Sequence, residues 1–152
     1  MTYEEIRDKA VVQSVVVGVA SGPLPMVDPP GMAIVLGKAI YELAKLHKRE
    51  LDLDTAGKLA LSIMTSVATY MTSIKVFSLV LYLFPLLGLV ANMGISAAID
   101  ALIALRICRY ANQTLTAKSF TKADTGECLY MLLMLPSVNE LKEISDILRG
   151  RI

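Results

Sequence analysis

Tryptophan is absent from this 152-residue chain, histidine occurs once, as His47, and there are two cysteines, Cys108 and Cys128. One histidine with no cysteine near it cannot build a zinc site. The cysteines lack Cys-x-x-Cys spacing and are too few for a disulfide framework, so they are expected as buried small hydrophobes. Charge is scarce as well: 19% of residues, with 15 basic and 14 acidic side chains and a net charge of +1. No basic surplus is available to displace counterions from phosphates, which excludes a nucleic-acid binder of the electrostatic kind. High hydrophobicity with low net charge also excludes intrinsic disorder. There is no Gly-x-Ser-x-Gly elbow. The nearest approach to a phosphate loop, Ala56-Gly57-Lys58-Leu59, has leucine where a hydroxyl must reach magnesium and Asp52 in place of the first glycine. A non-enzyme is therefore expected, with no catalytic residue, cofactor or metal.

What the chain has is apolar surface. Hydrophobic residues make up 55% of it and the mean hydropathy is +0.57. The distribution carries more than the average. Between Ala10 and Gly37 the one charge is Asp28, and between Leu59 and Leu105 the charges are Lys75 and Asp100. The segments 1–9, 38–58 and the last stretch of the chain are mixed in charge.

The run from Val76 to Ile99 has no charge and exceeds the roughly 20 residues that a spanning helix needs. Pro85 interrupts it, since proline removes a backbone donor and clashes with the preceding turn. The expectation is a hairpin with arms from about Thr55 to Phe84 and from about Pro85 to Gln113, with Gly88 just past the turn. The first zone repeats the plan: an apolar helix from Ala10 to Ala20, a break at Pro23 and Pro25, then Asp28 as N-cap and Pro29 at the first position of a helix to about Arg49. Further on, Thr125 to Leu135 reads as a short helix stopped by Pro136. Ser137-Val138-Asn139-Glu140 is a capping box that opens an amphipathic helix with Leu141, Ile144, Ile147 and Leu148 on one face. The predicted fold is all-α: two apolar helical hairpins with proline-containing tips over residues 1–122, and short C-terminal helices over 123–152.

Asp28, Lys75 and Asp100 are candidate intramembrane charges, because such groups are rare and costly in lipid. Lys75 and Asp100 flank Pro85 at broadly similar depth, on the order of 15–22 Å from the tip at a 1.5 Å rise. Pairing across the hairpin or with Asp28 is one reading. The preferred one has the side chains reaching the interface. His47, Lys48 and Arg49 read as a solvated helix end.

The stretch from Val15 through Gly22, Pro23, Pro25 and Asp28, with a following helix ending at Leu51-Asp52, resembles a hydrophobic helical domain of unknown function attached to Era-like bacterial GTPases. Phe84-Pro85-Leu86-Leu87-Gly88 through Gly94 and Ala98 resembles that family's Pro-x-x-Gly element and small-residue helix. The helical domain of immunity-related GTPases is similar in outline. The resemblance spans about residues 10–115 and implies a membrane-associated helical module and a GTPase partner, with no catalytic residue. The GTPase half is absent from this sequence, and the region Leu46-His47-Lys48-Arg49-Glu50 departs from the family's tyrosine-glycine ending.

The leading expectation is a non-enzymatic membrane protein that inserts or docks its hairpins in lipid through Pro23, Pro25, Phe84, Pro85, Gly88 and Gly94 and forms a homo-oligomer. Gly88, Ala91, Gly94, Ala97, Ala98 and Ala101 approximate a small-residue stripe suited to helix contact. Ser62, Thr65, Ser66, Thr69, Thr72 and Ser73 either hydrogen-bond between helices or line a polar passage, with helix contact the preferred reading. Basic residues Lys45, Lys48 and Arg49, with Arg106, Arg109 and Lys118, place the cytoplasmic side. The charged start, without a small-x-small site, is read as no cleavable signal. The alternatives are a soluble all-α scaffold that buries the hairpins against a partner protein, and a pore or lipophilic-ligand carrier.

Overall fold

The computed structural model describes residues 1–20, 28–71, 95–132, 134 and 137–151. These form α1 (Tyr3–Ala20), α2 (Pro29–Leu46), α3 (Leu53–Met71), α4 (Ile95–Ala117), α5 (Lys122–Leu132) and α6 (Val138–Arg151), with no strand among the described residues. The chain is all-α.

Five of the six described helix starts have a local cause. The Thr2 and Glu5 side chains exchange hydrogen bonds with each other's backbone N–H at α1, and Ser137 and Glu140 do the same at α6, both capping boxes. Asp28 Oδ1 accepts from Gly31 N at α2, Asp52 Oδ1 accepts from Thr55 N at α3, and Asp124 accepts from Thr121 N at α5. At the other end of α2, Lys48 N–H bonds the Lys45 carbonyl and Arg49 N–H bonds that of Ala44, with Lys48 at φ 57°. This is the paired closure of a Schellman turn, made with lysine at the left-handed position that glycine usually fills.

The packing differs from the expected hairpins. Among the described residues, α2 pairs chiefly with α3 and α1 with α4, while α2 also touches α1 and α4. Among the described residues the close antiparallel pair is thus α2–α3, joined by the charged connection 47–52; the tip of the hairpin expected around Pro85 lies outside the described residues. Glycine makes it possible. A methyl placed on Gly37 would lie 2.8 Å from Gly57 Cα, so the two backbones meet where neither carries a side chain. The charged start also belongs to the first helix, which begins at Tyr3 rather than Ala10. The helix expected to begin near Pro85 is described from Ile95 and runs on to Ala117.

The core is continuous through the bundle. Ile6, Val11, Met32, Leu36, Ile40, Ile63, Met64, Leu102 and Ile103 are all within 2% of full burial. α5 and α6 lie against α1, α3 and α4, and α6 buries Leu141, Ile144, Ile147 and Leu148, the face its sequence predicts. Arg106 of α4 fastens it. The guanidinium, 8% exposed, pairs with both Glu140 oxygens at 2.7 and 2.9 Å and donates to the carbonyls of Met131, Leu132 and Met134. One side chain therefore satisfies carbonyls at the end of α5 and a carboxylate at the start of α6.

Candidate functional site

Helix directions follow from the cross-links. Lys9 of α1 pairs with Glu42 of α2, and Val17 lies beside Gly31, so these helices are antiparallel. His47, just past α2, has Nε2 2.6 Å from Asn112 Oδ1, and Arg49 donates to the carbonyls of Leu115 and Thr116. These contacts set α2 and α4 parallel. The chain therefore leaves α1 at Ala20, enters α2 at Asp28, leaves α3 at Met71 and enters α4 at Ile95, all at one end of the bundle.

That end is almost without charge. Ala10–Ala20, Pro29–Gly37, Leu59–Met71 and Ile95–Leu105 contain a single charged residue, Asp100, and Asp28 stands at the mouth of α2. These uncharged helix lengths correspond to about 13–20 Å. Val16, Val19, Ile34 and Leu61 are exposed there, at 64, 53, 76 and 42%. The opposite end gathers Glu4, Glu5, Lys48, Glu50, Asp54, Lys118 and Lys122. The bundle is thus polar along its length, with a bare end and a charged end.

Asp100 is the exception within the bare half. It is fully buried, and neither oxygen has a hydrogen-bond partner among the described residues. Its neighbours in sequence, Ala97, Ala98, Ile99, Ala101 and Leu102, are buried too. Removal from water pushes its carboxyl up from 3.8 to about 8, and the charge of Asp28 adds to the shift. The expectation that Asp100 reaches an interface fails, because a short side chain on an inward face has no route to water. Asp28 is half-buried and occupied with capping α2. Ser14 of α1 is likewise fully buried with its hydroxyl unpartnered.

The other expected groups fall into place by packing. Pro23, Pro25, Lys75, Phe84, Pro85, Gly88 and Gly94 lie outside the described residues, as do Ala91, Thr72 and Ser73. Ala97, Ala98 and Ala101 are buried inside the bundle. Ser62, Thr65 and Thr69 are exposed, with the hydroxyls of Ser66 and Thr69 bonded back to carbonyls of their own helix. They line no internal passage among the described residues. The basic cluster at Arg106, Arg109 and Lys118 is a set of ion pairs, with Glu140, Glu143 and Asp124 respectively. His47 is half-buried against α4 rather than a solvated helix end. Lys45 and Lys48 remain exposed.

The cysteines are free and buried, as expected. Burial pushes both thiols up to about 12. Among the described residues no cluster of three or more histidine, cysteine or acidic side chains could hold a metal ion. A groove of about 570 Å³ runs along the outer face of α2 and α3, between Ala33, Ile34, Gly37, Leu53, Gly57 and Leu61.

No helix among the described residues is long and apolar enough to cross a membrane. Comparison with models of protein families, with curated proteins and with solved structures finds no match to this chain.

Proposed function

We propose that this protein is a non-enzymatic, membrane-associated helical module that docks on a bilayer through the bare end of its bundle and acts by self-association or as an anchor for a partner. The carrying observation is the polarity of the bundle: exposed Val16, Val19, Ile34 and Leu61 lie in a half whose helices carry Asp100 as their single charge. The segments 21–27 and 72–94 also attach at that end, and Lys75 is the single charge in them. Apolar area buried against lipid, at about 25 cal/mol per Å², drives the association. No helix of the described bundle need cross the bilayer. On the resemblance to Era-associated domains, a GTPase is the partner to look for first.

The test is flotation of the purified, untagged protein with phosphatidylcholine–phosphatidylglycerol vesicles in a density gradient. The wild type rises with the vesicles and stays with them in high salt, whereas Val16→Glu with Val19→Glu remains at the bottom. Protein that fails to float at any lipid composition overturns the reading. The groove on α2 and α3 favours a second reading, a helical scaffold that takes a partner protein. In that case Leu53→Glu, in the groove and outside the bare half, abolishes capture of the partner and leaves flotation untouched.

A further inference from the structure

The fully buried Asp100 has a place in the fold that packing alone does not explain. An ionised carboxylate without a hydrogen bond in a dry interior costs several kcal/mol, and α4 offers alanine and isoleucine on either side of it. Among the described residues, the elements packed against this part of α4 offer no cation. α1 has no ionisable side chain from Ala10 to Ala20, only the buried hydroxyl of Ser14, and α2 has none from Pro29 to Gly37. Lys38, one residue on, is exposed. α5 and α6 pack on α4 too, and their ionic contacts with it fall in its second half, at Arg106, Arg109 and Tyr110 with Glu127, Glu140 and Glu143. Among the described residues, the one charged group that bears on Asp100 is Asp28, of the same sign. Asp28 is itself fixed in position by its bond to Gly31 N and by the absence of a side chain on Gly31.

We propose that Asp100 and Asp28 form a proton-operated latch at the bare end of the bundle. With the proton on Asp100, the first turns of α4 close against α1 and α2. Once the proton leaves to solvent, the carboxylate draws those turns apart to reach water. Asp28 sets the point of release: its charge opposes a second negative charge nearby, while the cap it makes keeps it from moving away. The inference concerns the helical bundle itself and holds whether or not the bare end meets lipid.

The sign follows from the Asp100 carboxyl titrating near 8 in the closed state against 3.8 as its ordinary value. The closed state holds the extra proton throughout that interval, so closure is strongest at the acidic end and is lost as pH rises toward 8. Hydrogen exchange of the full chain by mass spectrometry, corrected for the intrinsic pH dependence of exchange, reads this directly. Protection of amides from Ala97 to Ala104 is expected to fall about tenfold per pH unit between roughly pH 5 and 8 and then level off. In Asp100→Asn, which cannot ionise, protection over the same amides is independent of pH. In Asp28→Asn, which retains a capping oxygen, the levelling moves to lower pH because the like charge is gone. The Asp100 carboxyl carbon, followed by NMR, titrates near 8 in the wild type whether or not the variants fold. A carboxyl midpoint near 4, pH-independent protection in the wild type, or the same fall in Asp100→Asn overturns the proposal.

Discussion

Replacing Glu140 with glutamine separates the two tasks this carboxylate performs. Glutamine can still accept from Ser137 N–H and complete the capping box, so the start of α6 survives. What is lost is the charge facing Arg106 at 2.7 and 2.9 Å. Burial works against ionisation of Glu140, but the hydrogen bonds from Arg106 and Ser137 and the charges of Arg106 and Arg109 outweigh it and bring the carboxyl down from 4.5 to about 2. A depressed carboxylate stabilises the fold above its unfolded value and loses that contribution as pH falls toward the folded one. A shift of this size corresponds to about 3 kcal/mol at pH 7 and about 1 kcal/mol at pH 3. Urea unfolding of wild type and Glu140→Gln at both pH values should therefore show a stability gap about 2 kcal/mol wider at pH 7. Arg106→Met, which strands the carboxylate and the carbonyls of Met131, Leu132 and Met134, should cost about 3–5 kcal/mol at pH 7. A gap between wild type and Glu140→Gln that is the same at the two pH values would refute the assignment of this pair as the fastener of the C-terminal helices.

Gly37→Ala should lower stability by about 1–3 kcal/mol because a methyl there meets the Gly57 backbone, whereas Gly57→Ala, whose methyl points into open space, should raise it by up to about 1 kcal/mol. Thermal melts should show opposite shifts, each roughly 2–4 °C per kcal/mol. Lys48→Gly removes a side chain from a left-handed turn position and should stabilise α2 by about 1 kcal/mol; chemical denaturation measures it. Cys108 and Cys128 should resist a thiol reagent in the native state at pH 8 and react together on unfolding, since both are buried with thiols pushed up to about 12. A fast native reaction of either would show that its burial is not maintained in solution.

Local chemistry was the legible part. Asp28 caps α2 and Ser137 with Glu140 opens α6 as their spacing predicts, and the inward face of α6 is the one its periodicity marks. The Thr2-Tyr3-Glu4-Glu5 box was equally readable, yet the dense charges of residues 4–9 drew the helix start toward Ala10. The end of α2 was harder, because lysine rather than glycine turns the chain at position 48. Pairing was legible only in part: α1 and α2 run antiparallel as the first hairpin requires, but the main partner of α1 is α4. The partner of α3 is set by the bare Gly37, against which the Gly57 backbone lies, and no hydrophobic pattern distinguishes that glycine from other small residues. Arg106 read as an exposed positive charge, since a buried arginine announces itself only through partners distant in sequence, here Glu140. Asp100 was visible as an isolated charge in an apolar run, but its inward orientation and its proximity to Asp28 depend on α2 and α4 running parallel.

The pairing of α1 with α4 also sets an order of events during synthesis. α2 and α3 are neighbours in sequence and can close their hairpin as soon as the second emerges. Ile6, Ala10, Val11 and Val15 of α1, by contrast, have their main cover in a helix that begins at Ile95. At translation rates of about 5–20 residues per second, α1 is out for roughly 5–20 s before α4 is complete. During that interval α2 is the neighbour that can shield part of its apolar face, and the rest stays uncovered until its main partner helix has been made.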